Sequence, residues 1–192
     1  MELSLKNIFL LVTIFPTLIY AYPNGKVEAA CSTMIPGHPH SAQTSFAPYS
    51  LTLTSTNYTG MLVFLVTLSK EQTGSDFKGF MIQARAPRGD TSLGTFVVNS
   101  SDIQTLTCTS SQSAVSHTSR NLKSSVQAIW IPPKAKSDIQ FRATVVTSFD
   151  TFWTNVLSDI LPLDSAGSQL MIPTVFQLLV CSSTLIYALL LK

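Results

Sequence analysis

Ile139-Gln140-Phe141-Arg142-Ala143-Thr144-Val145-Val146-Thr147-Ser148 alternates along its length. Phe141, Ala143, Val145 and Thr147 share one parity, while Arg142, Thr144 and Val146 share the other. In an extended chain successive side chains point to opposite faces, so this stretch reads as a half-buried β-strand. Residues 50–54, 61–68, 77–85, 95–98, 103–108 and 126–131 are likewise short and rich in Leu, Val, Phe and Thr. Turn signals separate them: Thr59-Gly60, Thr73-Gly74, Pro87-Arg88-Gly89-Asp90 and Pro132-Pro133. No stretch in the body carries a helical stripe. Short strands at this spacing predict an all-β, antiparallel β-sandwich, with Trp130 and Trp153 as packing residues. Residues 105–125 are rich in Ser and Thr, which suits surface strands or O-linked sugars.

An apolar run lies at each end of the strand-rich body. Residues 8–19 follow Lys6 and lead to Ile19-Tyr20-Ala21. The run is too short to span a bilayer, and Ala21 suits cleavage by signal peptidase, so residues 1–21 are expected to be a signal peptide. Residues 170–191 carry no charge and would cover roughly 33 Å as a helix, enough to cross a bilayer. They read either as a single-pass helix or as the tail of a glycolipid (GPI) attachment signal. Only Lys192 would flank the helix in the cytoplasm, which is weak retention. Ser165, Ala166, Gly167 and Ser168 supply the small residues that lipid attachment requires. The lipid anchor is the favoured reading, although the polar spacer is short. Residues 22–160 form the expected domain and 161–169 a short stalk, on the extracellular face of the plasma membrane.

Without Lys6, Lys192 and Glu2 the chain keeps 10 basic and 9 acidic residues. That near-neutral balance argues against nucleic acid as a partner. Cys181 lies in the apolar tail, leaving Cys31 and Cys108 as the pair within the domain. In an oxidising compartment such a pair is expected to bond, two free thiols being the alternative. Asn57-Tyr58-Thr59 and Asn99-Ser100-Ser101 are sequons, which makes Asn57 and Asn99 the expected N-glycan carriers.

No G-x-S-x-G, H-E-x-x-H, P-loop or G-x-G-x-x-G is present, and the carboxylates are scattered. No catalytic residue, metal site or cofactor is therefore expected. His38-x-His40 could set two imidazoles on one face, but its place between Pro36 and Ser41 favours an exposed loop. Arg85, Arg88, Arg120, Lys123, Lys134 and Lys136 read as solvated loop charges, with a glycan- or lipid-binding basic patch as the alternative.

Several blocks resemble the reelin (reeler) domain family. They are Tyr22-Pro23-Asn24-Gly25, Cys31, Met34-Ile35-Pro36-Gly37-His38 and Phe77-Lys78-Gly79-Phe80-Met81-Ile82-Gln83-Ala84-Arg85. Leu106-Thr107-Cys108, Ala114-Val115-Ser116-His117, Trp130-Ile131-Pro132-Pro133 and Phe141-Arg142-Ala143-Thr144-Val145-Val146 follow in order, through to Trp153. The likeness is to the N-terminal domain of the vertebrate ferric-chelate reductase group. It implies an immunoglobulin-like sandwich and a disulfide between Cys31 and Cys108. Those reductases continue into a haem-binding helical module with paired His, which this sequence does not contain, so reductase activity is not expected. The expected function is a membrane-attached module for recognition, adhesion or defence, with an extracellular protein or glycan as ligand. The alternative is an accessory to ferric-chelate reductase-type metal or redox handling.

Overall fold

The computed structural model describes residues 23–135 and 137–163. Among the described residues nine strands form two antiparallel sheets, as the alternation predicts. The four-stranded sheet has the order β1-β2-β7-β4: Tyr49–Tyr58, Met61–Lys70, Ser125–Ile131 and Thr95–Val97. The five-stranded sheet has the order β5-β6-β3-β8-β9: Ile103–Leu106, Ala114–His117, Gly79–Arg85, Ile139–Val146 and Phe152–Leu161. The core fills the space between them. Phe141, Ala143 and Val145 of β8 face Val126, Ala128 and Trp130 of β7, and the Trp130 and Phe141 rings meet edge-on at 5.0 Å. Trp130 Nε1 donates to the Leu93 carbonyl at 2.9 Å, so the ring is buried without an orphan donor. Each fully buried side chain of this kind contributes about 1.5–3 kcal/mol.

The Thr59-Gly60 turn closes β1 onto β2 with Tyr58 opposite Met61. Thr59 and Gly60 both have positive φ, as a two-residue turn matched to strand twist demands. Two strands went unread in the sequence. β6 is buried on both faces, so it shows no alternation. β9 is paired to β8 with two register shifts. These leave Trp153, Val156 and Leu161 packed on the core at spacings that no period of two describes.

β3 is also buried on both faces. Phe80, Ile82 and Ala84 enter the sandwich core. The outer face of β3 is covered by the chain from Pro23 to His38, which includes one turn of 3-10 helix at Glu28–Ala30. This strap is the fold's departure from a bare sandwich. Among the described residues no helix is long and apolar enough to cross a membrane. The expected signal peptide, the attachment residues Ser165 to Ser168 and the apolar segment 170–191 lie outside the described residues.

Candidate functional site

The outward residues of β3 are Met81, Gln83 and Arg85, and all three are buried. Met81 meets Met34 of the strap in a small second core with Leu106 and Ala114. Gln83 and Arg85 cannot be buried unpaired, since an orphaned polar group costs about 1–3 kcal/mol. They hold the strap by its main chain. Arg85 Nη2 donates to the carbonyls of Cys31 at 2.6 Å and Ser32 at 3.0 Å, and Arg85 Nε donates to Gln83 Oε1 at 2.8 Å. Gln83 Nε2 donates to the same Cys31 carbonyl at 2.9 Å. Burial and the neighbouring Arg142 push the Arg85 guanidinium below its ordinary pKa, while Asp90, 3.7 Å from Nη1, opposes them.

Covalent and polar anchors complete the strap. Cys31 is bonded to Cys108, with Cα atoms 5.5 Å apart. Thr144 Oγ1 donates to the Met34 carbonyl at 2.5 Å. At the strap's start Gln104 Nε2 donates to the carbonyls of Asn24 and His117.

Between the strap and the sheet runs a groove of about 560 Å³. Val27, Ala30 and Met34 form its strap wall, and Met81 and Val146 its sheet wall. Phe149 and Ile35, both about half exposed, stand at the mouth with His38. Lys78, Arg120 and His117 also line it. His117 is itself buried, with its ring close against Gly79, where an added Cβ would lie 3.1 Å from the ring. Among the described residues no Asp or Glu lines the groove. An apolar concave surface with a few polar groups is the usual form of a ligand site, and its volume lies within the usual range.

His38 and His40 are not brought together around a metal. The His38 ring lies tilted on Phe149 at 4.7 Å and the His40 ring meets it edge-on at 5.4 Å, while His38 also meets Phe152 edge-on at 5.8 Å. Among the described residues no three His, Cys, Asp or Glu side chains are grouped to hold an ion. Burial lowers the His38 pKa; a hydrogen bond with the Phe149 backbone opposes this, and His40 adds to it.

Two residues read as solvated loop charges belong inside. Arg85 anchors the strap, and Lys123 is buried with Nζ donating to the carbonyls of Asn121, Ser119 and Lys78 at 2.7, 3.0 and 3.3 Å. Burial lowers the Lys123 pKa, against the pull of Asp102. Arg88, Arg120 and Lys134 stay exposed, and Lys136 lies outside the described residues. Asn57 is exposed near the β1–β2 turn and Asn99 is exposed just beyond β4. Trp153 lies at the edge of the core against Tyr49, as expected of a packing residue. The groove was missed in the sequence. Its one local signal was Gln83 and Arg85 inside an otherwise apolar strand, which calls for partners on the outer face.

A family model described as the reeler domain matches residues 29–169. A Danio rerio protein, designated a candidate ferric-chelate reductase 1, is 42% identical over 166 residues, covering 85% of this chain but 29% of that protein. A Samia ricini protein, designated a candidate defense protein Hdd11-like, is 32% identical over 147 residues, covering 73% of this chain and 87% of that one. The crystal structure of the Reelin-N domain of F-spondin superposes with a TM-score of 0.52 at 19% identity, over 73% of this chain and 100% of that one.

Proposed function

The chain belongs to the reeler domain family, and from that membership we propose that it is a non-catalytic recognition module of the cell surface, binding through the groove beneath the strap. One observation carries the proposal. The strap is held over the sheet by a disulfide and a buried hydrogen-bond network, yet an apolar groove remains beside it with two large side chains at its mouth. Rigid walls around unfilled apolar surface favour binding, because little conformational entropy is lost when a ligand enters. The likeness to a candidate defense protein that this chain nearly spans supports a recognition or defence role. The reductase named in the Danio rerio relative lies outside the proposal, since this chain spans 29% of that protein.

Surface attachment through a glycolipid near Ser165 to Ser168 belongs to the same reading. Phosphatidylinositol-specific phospholipase is expected to release the domain from intact animal cells; retention of Lys192 in the surface protein would replace the lipid by a spanning helix. The recognition role is tested by capture of cell-surface ligand with the wild-type protein and with Ile35→Asp. Ile35 is 54% exposed, so the substitution changes the mouth and not the core. Equal capture by both would remove the groove from the reading. Ferric reduction by the isolated chain, above the rate without protein, would remove the non-catalytic assignment.

A further inference from the structure

We infer that the groove takes an amphiphile with a single long apolar chain and an anionic head, the head lying at Lys78 and Arg120. The inference rests on the groove being the binding surface and adds the chemistry of what enters it.

Two independent features set that chemistry. The walls are apolar on both sides, with Met34 and Val27 facing Met81 and Val146, and the apolar surface continues outward over Ile35 and Phe149. Such a surface is covered best by hydrocarbon, and burial of each methylene favours binding without any directional demand. The charge along it is of one sign. Lys78 and Arg120 line the groove, and among the described residues no carboxylate does. The ion pairs among the described residues are Lys70 with Asp76 and Arg85 with Asp90, so neither lining cation is neutralised by one.

The fold also places the two cations together. Lys123 Nζ, buried beneath them, donates to the carbonyls of both Lys78 and Ser119, the residue before Arg120. Lys78 and Arg120 therefore leave the main chain from one locus, where β3 begins and β6 ends. The aromatic mouth lies at the β8–β9 turn, where Phe149 receives the His38 ring. A neutral hydrocarbon would leave the cation pair unanswered, and a compact anion would leave the apolar walls wet. A carboxylate or phosphate carried on a long chain answers both. Arg120 offers a fork of donors and Lys78 a point charge, so neither head group is excluded by geometry.

The test uses the full chain displayed on animal cells and a photoreactive palmitate probe. Labelled peptides are expected to come from the strap and from residues 139–149. Palmitate should compete with the probe, while 1-hexadecanol and butyrate should not. A lysophosphatidate arm distinguishes a lipid phosphate from a free fatty acid as the head. Reversing one exposed cation, by Lys78→Glu or Arg120→Glu, should weaken labelling about fivefold, the loss expected for a solvent-exposed charge pair. Both residues are exposed, so the variants are expected to fold, which surface expression will verify. Competition by 1-hexadecanol equal to that by palmitate, labelling outside the groove, or no labelling would overturn the inference. If labelling fails while ligand capture still depends on Ile35, the amphiphile is wrong and the recognition reading stands. If both fail, the groove itself is not the site.

Discussion

Gly25 stands against the main chain of His117: a Cβ added at position 25 would lie 1.9 Å from the His117 carbonyl oxygen. Gly25 also has a φ of +66°, in the left-handed region that costs a side chain about 1–2 kcal/mol. The contact pins the start of the strap to the end of β6. Because the clash is with main chain, no rotamer relieves it. Gly25→Ala is expected to destabilise the domain by about 2–4 kcal/mol, summing backbone strain and overpacking. Thermal unfolding followed by circular dichroism measures this. A midpoint within about 2 °C of the wild type would show that the strap's start carries no stability.

Arg85 is the strap's polar anchor: its side chain is buried and makes three hydrogen bonds, two of them to strap carbonyls. Arg85→Met fills similar space but strands Gln83 Oε1 in the interior. A loss of about 3–5 kcal/mol is expected, as for breaking a buried charged network. Arg85→Lys should recover only part of it, because an ammonium cannot reproduce the planar fork that serves Cys31, Ser32 and Gln83 together. Urea unfolding with an unchanged slope is the measurement. A lysine variant as stable as wild type would show that charge alone suffices.

The sandwich was legible in the sequence because β7, most of β2, the first half of β1 and the first half of β8 have one wetter and one drier face, and that asymmetry writes itself as alternation. β6 and β9 were not legible, for opposite reasons. Ala114 to His117 have no wet face to alternate with, and β9 changes faces at its bulges. The site was less legible still. A groove between a strap and a sheet is made by residues distant in sequence, such as Met34 and Thr144, whose contact spans 110 positions. Local patterning carries nothing of such pairs. Arg85 and Lys123 read as surface because charge is normally solvated; only backbone carbonyls brought in from elsewhere make their burial tolerable.

The Cys31–Cys108 bridge closes a separation of 77 residues, for which the chain-entropy estimate is about 4–5 kcal/mol. Cys31 also offers its carbonyl to Arg85 and Gln83, so bridge and network restrain one point. Their effects should not add. Replacing both cysteines by Ser should lower stability by several kcal/mol, and Arg85→Met should then cost about 1–2 kcal/mol less than in the bridged protein. A double-mutant cycle in denaturant checks the coupling. Strict additivity would mean that the strap is held at independent points.

Asn57 and Asn99 are exposed, Asn57 near the tip of the β1–β2 hairpin and Asn99 after β4. If the domain passes through the secretory pathway, both should carry N-glycans. Asn57→Gln and Asn99→Gln should each raise electrophoretic mobility by one step, and an amide-cleaving glycosidase should abolish the difference. Identical mobility of wild type and the double variant would remove the sugars.

His38 gives the domain a predicted sensitivity to mild acid. Its ring is packed on Phe149 and Phe152. Burial lowers its pKa below the unfolded value of 6.5; the Phe149 backbone hydrogen bond raises it, and His40 lowers it further. The folded state therefore resists a proton that the unfolded chain accepts. This contribution to stability is fully present above the unfolded pKa and is lost as pH falls from 6.5 towards the lower folded value. Asp150, near His40, does not cancel the effect. Hydrogen bonds from Ser148 and Thr151 hold its carboxyl below the usual range, so it stays charged throughout this window. The unfolding midpoint of the wild type should fall between about pH 7 and pH 5, the range in which histidine titrates. His38→Phe keeps the aromatic packing and removes the titrating group, so its midpoint should change less over the same range. His40 and His117 remain in both proteins, which makes the difference between the two profiles specific to His38. Parallel profiles would show that His38 takes up its proton equally in the folded and unfolded chain.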